Sequence, residues 1–278
     1  MPELSTYLAT RYVQPLREGG SLPAVVDTDG GGMFVAKFRG AGQGARALVA
    51  ELVVGMLAAE AGLPVPELAL IEIAEHFGRG EPDPEIQDLL KLSHGVNVGL
   101  RYLDGSFNFD GYAAGDFVTP EFAAELVWFD AFVTNVDRTH RNPNLLVCGR
   151  KLWLIDHGAA LYAHHDWRGV DEARTRTPFP LIKQHVMLTR ADDLRAADAR
   201  LSAVFTPETI AGVLARVPEA LLLDPSRPGE FATADEARAR YAEYLTTRLR
   251  EPRAWVDEAE RARDLARAEP PRPLKARR

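Results

Sequence analysis

The sequence predicts an α+β fold in two lobes, a smaller strand-rich one over residues 1–103 and a mainly helical one over residues 104–265. Three observations predict it. Apolar runs on either side of Asp29-Gly30-Gly31-Gly32 have the form of a β-hairpin, with glycines at the turn that joins paired strands. Further short apolar runs follow at Leu68 to Ile73 and Val96 to Leu103. Beyond them apolar residues recur at helical spacing, behind Thr-Pro-Glu triplets beginning at Thr119 and Thr206 that mark helix starts.

In chain order, Ala24-Val25-Val26 and Met33 to Phe38 are the hairpin strands, and the glycine-rich stretch Gly40 to Gly44 leads into a helix from Ala45 to Ala61. Leu48, Val49, Leu52, Val53, Met56 and Leu57 give this helix an apolar face, and Gly62 stops it. Pro64 and Pro66 launch the strand Leu68 to Ile73. Residues His76 to His94, turn-rich and containing Pro82 and Pro84, read as a surface insertion with at most one short helix. The strand beginning at Val96 runs into a loop, Asp104 to Gly115, and the lobe boundary falls there. Thr119 caps the next helix, with Pro120 at its first position and Glu121 suited to the N-terminal dipole. Phe122, Leu126, Phe129 and Val133 form its buried stripe. A long helix runs from Ala234 to Arg250, with Thr233 as N-cap and Glu236 completing a capping box. Residues 266–278, rich in proline and arginine, are expected to be disordered.

At 278 residues the chain can bury two cores or one large one. A formal net charge of −7 gives no global attraction to nucleic acid or an anionic membrane, so neither is expected as a partner. Cys148 is the single cysteine, which rules out an internal disulfide framework or a cysteine-rich zinc site and points to the cytoplasm. The greasiest stretch, Leu48 to Ala74, is interrupted by Glu51, Glu60, Glu67 and Glu72, well short of the roughly 18–20 apolar residues a membrane helix needs. The start Met-Pro-Glu lacks the basic and apolar segments of a signal peptide.

The chemistry concentrates in Asn135-Val136-Asp137-Arg138-Thr139-His140-Arg141-Asn142-Pro143-Asn144 and in Leu154-Ile155-Asp156-His157-Gly158. Phosphoryl transfer asks a protein for fixed metal ions, cradled phosphates and an oriented nucleophile. Asp137, in a loop after a buried helix, is a candidate to orient or deprotonate a hydroxyl, while Asn142 and Asp156 offer the hard oxygens that magnesium prefers. Leu145-Leu146-Val147 and Leu152 to Ile155 pair as a hairpin about Gly149-Arg150 and bring these segments together. Lysine is scarce, appearing only at Lys37, Lys91, Lys151, Lys183 and Lys275, and Lys37 lies inside an apolar strand where a cation needs a partner or a ligand.

Asp137-x-x-x-x-Asn142, followed by an apolar strand and Ile155-Asp156-x-Gly158, resembles the catalytic and metal-binding loops of the protein-kinase-like superfamily, to which the phosphatidylinositol kinases are related. Asn135 before Asp137, and Asn142-Pro143-Asn144-Leu145-Leu146, make it most similar to the HipA-like kinases. The resemblance covers Ser21 to Leu188 and implies a two-lobe protein-kinase-like fold with ATP between the lobes and one or two magnesium ions on its phosphates. It implies Asp137 as catalytic aspartate, Asn142 and Asp156 as metal ligands, Lys37 as phosphate contact and Glu51 as the carboxylate holding Lys37, with Glu60 competing. Gly19-Gly20-Ser21 would cradle the phosphates, in preference to Gly30-Gly31-Gly32, and the hinge around Leu100 and Tyr102 would hydrogen-bond adenine through its backbone. The implied activity is transfer of the γ-phosphoryl group to a hydroxyl, foremost serine or threonine of a protein substrate.

Thr139 stands where these families place a histidine two residues after the aspartate, and His140 follows it; His157 replaces the aromatic residue of ordinary kinases. Two other readings stay open. A catalytically inactive kinase fold would serve as a nucleotide-binding or interaction module, although the intact set of Lys37, Asp137, Asn142 and Asp156 argues against decay. A metal-dependent phosphoester hydrolase would draw on His140, His157, His164, His165, Asp137, Asp156 and Asp166.

Overall fold

Strand β1 (Ser5–Pro15) pairs antiparallel with β2 (Ala24–Thr28), which pairs with β3 (Gly32–Lys37). Helix α1 (Gly44–Glu60) follows, then β4 (Leu68–Ile73), α2 (Pro84–Leu92) and β5 (Gly95–Arg101). The computed structural model of the chain describes residues 4–16, 22–42, 44–111, 117–224 and 229–269. Strand β5 lies between β3 and β4, and β4 returns to pair with β1 in parallel, closing a barrel in the order β1-β2-β3-β5-β4. The β1–β4 pairing is parallel and the other four are antiparallel, and closure removes most of the open sheet edge.

Two cores form. Ala24, Val26, Phe34, Ala36, Ala69, Ile71 and Ile73 from the strands join Phe77 and the α2 residues Ile86, Leu89 and Leu90. The segment read as a surface insertion thus closes the barrel core with its apolar face. Asp83 caps α2, accepting from the Glu85 N–H at 3.0 Å. Helix α1 is buried on nearly all sides, from Ala45 through Ala58, because the barrel covers one side and the C-terminal helices another. It shares the second core with them, so the strand-rich part and the helical part are not two separately cored lobes.

After β6 (Phe107–Asn108) comes α3 (Pro120–Phe132), capped as expected by Thr119, whose Oγ1 accepts from the Phe122 N–H at 3.2 Å. The expected stripe is instead a helix buried almost all round, with Ala123, Ala124, Leu126, Val127, Trp128, Phe129 and Phe132 enclosed. Strands β7 (Leu145–Cys148) and β8 (Lys151–Leu154) form the predicted hairpin, and β7 also pairs with β6. Then follow 3₁₀ turns at Tyr162–His165, Trp167–Gly169, Pro180–Gln184 and Leu188–Arg190. They are interspersed with α4 (Glu172–Thr175) and followed by α5 (Leu194–Val204), α6 (Pro207–Ala215) and α7 (Glu219–Leu222). Last come α8 (Ala234–Leu249) and α9 (Ala254–Ala268). In α8, Thr233 accepts from the Glu236 N–H at 3.1 Å, while the Glu236 carboxylate reaches the Ala232 N–H at 2.7 Å, one residue short of a strict capping box. Helix α9 extends through Ala268 into the segment expected to be disordered, and residues 270–278 lie outside the described ones.

Candidate functional site

Lys37 ends β3, opposite Val98 of β5, where the strand alternation turns its side chain toward α1. Its ammonium donates to Glu51 Oε2 at 2.5 Å and to Asp156 Oδ1 at 2.6 Å. Three segments distant in sequence therefore meet at one cation, and two of its three N–H donors are engaged. Glu51 is 0% exposed and Lys37 8%. Burial works against the Lys37 charge, but Glu51 and Asp156 outweigh it and its pKa is raised. Burial likewise opposes the Asp156 charge, and Lys37 wins again, so that carboxyl is held below its ordinary value. Glu60, the competing carboxylate, lies at the far end of α1 and makes no such contact.

Asp156 has φ 55, a left-handed conformation that aspartate tolerates better than most residues. With this bend the chain turns off β8 and lays His157 and Gly158 against α1: the His157 N–H donates to Glu51 Oε2 at 2.8 Å. A Cβ at Gly158 would sit 3.5 Å from both the Ala47 Cβ and the Ala47 carbonyl oxygen, ordinary van der Waals contact, so this stretch of chain lies directly against α1. The Asp156 side chain remains 44% exposed, so this carboxylate can meet a ligand while tied to Lys37.

Asp137 sits in the loop after α3. Its Oδ2 accepts from Asn142 Nδ2 at 2.7 Å and from Asn144 Nδ2 at 3.2 Å, and its own N–H donates to Asn135 Oδ1 at 3.1 Å. By donating its amide nitrogen to Asp137, the exposed Asn142 keeps its amide oxygen as the atom available to a cation. Thr139, the departure from the family pattern, shapes the loop: its Oγ1 accepts from the Asn142 N–H at 3.3 Å and its N–H donates to the Asn142 carbonyl at 2.9 Å.

Arg138 joins the two groups from beneath. Its fully buried guanidinium donates through Nε to Asp130 Oδ2 at 2.6 Å, through Nη1 to the carbonyls of Asn144 and Ile155, and through Nη2 to His157 Nδ1 at 3.3 Å. The Ile155 N–H also donates to the Asn144 carbonyl at 3.1 Å, which continues the β7–β8 ladder to the flank of Asp156. Asp130 accepts further from His185 Nε2 at 2.9 Å and Asn135 Nδ2 at 3.0 Å. Burial alone would raise the Asp130 carboxyl, yet Arg138 and His185 hold it at about 2. Sequence reasoning passed over Asp130, Arg138, Asn144 and His185. The available signal was Asp130 itself, a carboxylate inside Trp128-Phe129-Asp130-Ala131-Phe132, since a charge in such a run needs a buried partner.

The backbone assigned to a hinge is engaged in the barrel. Leu100 is paired with Val35 on one side and Leu68 on the other, the Arg101 N–H donates to the Glu67 carbonyl at 2.8 Å, and the Tyr102 N–H donates to the Met33 carbonyl at 3.0 Å. The N–H groups of Arg101 and Tyr102 are thus not available to a base, and the chain leaves the ladder at Leu103. The turn containing Gly30 and Gly31 lies at the opposite end of β3 from Lys37, five residues or roughly 16 Å away. By contrast, Ala24 pairs with Ala36, and the Leu16 N–H donates to the Pro23 carbonyl at 2.7 Å, which places the β1–β2 connection at the Lys37 end. Gly19, Gly20 and Ser21, within that connection, lie outside the described residues.

The histidines and aspartates of the hydrolase reading do not converge. His157 is buried beside Arg138, His164 pairs with the Tyr241 hydroxyl at 3.0 Å, and Asp166 holds Arg168 at 3.0 Å. Among the described residues no group of three or more His, Cys, Asp or Glu is placed to hold a metal ion. Nor is any helix among them long and apolar enough to cross a membrane.

A family model described as HipA-like kinase matches residues 10–174, more than half of the chain and the whole stretch from Lys37 to Asp156. The chain belongs to the HipA-like kinase family. It is accordingly a phosphotransferase of that family. The crystal structure of a Helicobacter pylori proinflammatory kinase, CtkA, is similar to this HipA-like kinase with a TM-score of 0.59 at 13% identity, over 95% of this chain and 99% of that one. At that identity the likeness speaks for the fold. No curated protein matches the chain.

Proposed function

We propose that this HipA-like kinase uses ATP and magnesium to phosphorylate serine or threonine hydroxyls of a protein. The observation that carries the reading is the Lys37 ammonium held by Glu51 and Asp156 together. It brings a strand cation, a helix carboxylate and the loop after β8 to one point beside the Asp137 loop. The donor chemistry fits the cofactor: Asn142 and Asp156 offer exposed hard oxygens suited to magnesium, and Lys37 keeps one N–H for a phosphate. When bound, magnesium would neutralise charge on the transferring phosphoryl group.

On this reading Asp137, oriented by Asn142 and Asn144, accepts or orients the proton of the acceptor hydroxyl. Glu51 keeps Lys37 in place, Gly19-Gly20-Ser21 cradles the phosphates from the β1–β2 connection, and the barrel with α1 acts as the upper lobe of a two-lobe kinase. The adenine contact shifts to the chain from Leu103 onward, since the Tyr102 N–H is already engaged.

Purified protein should bind ATP in a magnesium-dependent way and turn it over. In Asp137→Ala, nucleotide binding persists while turnover falls by about 10²–10⁴-fold, the range expected for loss of a positioned general base. In Asp156→Ala the magnesium dependence of binding is lost. Wild type that neither binds nor turns over ATP would replace this reading with a nonenzymatic interaction module. Phosphoester hydrolysis without ATP, dependent on zinc or manganese, would favour the hydrolase.

A further inference from the structure

Among the described residues, the lysines and arginines whose side chains make no hydrogen bond, ion pair or ring contact are Arg79, Arg141 and Lys183. The other cations are engaged, even at the surface: Lys91 on Asp88, Arg11 on Asp27, Arg195 on Asp257 and Glu260, Lys151 over Trp153. Two of the three unengaged cations flank the Asp137 loop. Thr139 pairs antiparallel with His185, and the Val186 N–H donates to the Arg138 carbonyl at 3.2 Å. From this pairing the two segments leave in the same direction, one as His140-Arg141 and the other as Gln184-Lys183, and all four of these side chains are exposed. Arg141 and Lys183 therefore stand on one rim beside the carboxylate read as the proton acceptor, with no acidic partner for either.

We propose that Arg141 and Lys183 recognise carboxylates of an acidic acceptor peptide and so select serine or threonine flanked by aspartate or glutamate. The inference rests on the kinase reading and names its substrate class. A chain of net charge −7 repels acidic partners at long range, so discrimination in their favour has to come from local, unengaged cations at the acceptor site. Exposure of both side chains suits a flexible peptide laid across the surface. A dedicated phosphate pocket would instead gather buried, convergent donors.

The test measures kcat/KM on matched serine peptides with acidic, neutral or basic flanks. The acidic peptide is preferred, by up to about fivefold for each cation, the upper end of an exposed ion pair. The preference shrinks in high salt. In the double variant Arg141→Glu, Lys183→Glu the preference inverts toward basic flanks, and in Arg141→Gln, Lys183→Gln it disappears. Arg79→Glu makes the same charge change on the barrel side and leaves the preference as in wild type. Inversion cannot arise from misfolding, and the glutamine pair guards against disruption by the reversal itself. Wild type indifferent to flanking charge, or a preference that survives the double reversal, overturns the inference while the kinase reading stands; phosphorylation confined to acceptors that are not peptides overturns the inference together with the protein-acceptor part of that reading. Wild type that does not bind magnesium-ATP removes both.

Discussion

Arg138 is the residue on which both halves of the site depend. One guanidinium meets Asp130, two backbone carbonyls and His157, a use of the planar fork that lysine cannot copy with three donors on one atom. Removing it leaves Asp130, 0% exposed, without its main counter-charge. Arg138→Met is therefore expected to lower stability by about 3–5 kcal/mol, the cost of breaking a buried ion pair from one side. Urea unfolding measures it. Adding Asp130→Leu should recover a large part of the loss, because two apolar groups can replace a buried pair far better than one stranded charge can persist. If the double variant is as unstable as the sum of the single ones, Arg138 matters through its carbonyl contacts rather than through Asp130.

At the scale of elements, the barrel depends on close approach around β5. A Cβ built on Gly99 would lie 2.6 Å from Ile71 Cγ1 and 3.2 Å from the Phe34 Cβ, so a larger residue forces β3 and β4 apart where β5 joins them. Gly99→Val should cost about 1–3 kcal/mol through overpacking, read from the shift in the chemical unfolding midpoint, and a midpoint equal to wild type would show that the barrel yields freely there. The same strands show what the sequence could and could not reveal. The β2–β3 hairpin, β4, β5 and the Thr-capped helices were legible because turn glycines, alternation and caps are local signals. Strand β1 was missed: of Ser5–Pro15 only Ala9 is buried, so no apolar pattern marks it, although Tyr7, Thr10, Tyr12 and Val13 favour a strand by type. Lys37, Glu51 and Asp156 were legible as a set from order along the chain. The network beneath them was not, because Asp130 and His185 meet Arg138 only through tertiary packing.

Taken over the whole molecule, the site's buried charges set a direction for stability against pH. The Arg138 N–H donates to His157 Nδ1, and the Met187 N–H to His185 Nδ1, so both rings are accommodated in the neutral form with the proton on Nε2. Burial first, and then the neighbouring Arg138, push His157 down to about 3; burial lowers His185 as well, against the pull of Asp130. In the unfolded chain both titrate near 6.5. Below that pH the unfolded state takes up protons that the folded state refuses, and stability falls by about 1.4 kcal/mol per pH unit for each histidine fully involved. Asp130 acts later: its folded pKa of about 2 lies below the ordinary 3.8, so its contribution is complete above 3.8 and is lost as pH falls toward 2. Lys37, with its pKa raised above 10.5, contributes fully at every pH below that and loses its contribution only beyond it. The histidines' contribution to unfolding free energy should therefore be level above neutrality and decline from about pH 6.5 downward, while the Glu51 carboxyl, which burial raises above its ordinary 4.5, works against that decline. His157→Asn keeps an acceptor for Arg138 but cannot be protonated, and it should reduce the slope between pH 6 and 4 by about one proton. Urea titrations at several pH values in that window decide it: a slope unchanged in His157→Asn would mean that His157 takes up its proton in the folded state and that Arg138 can yield to it.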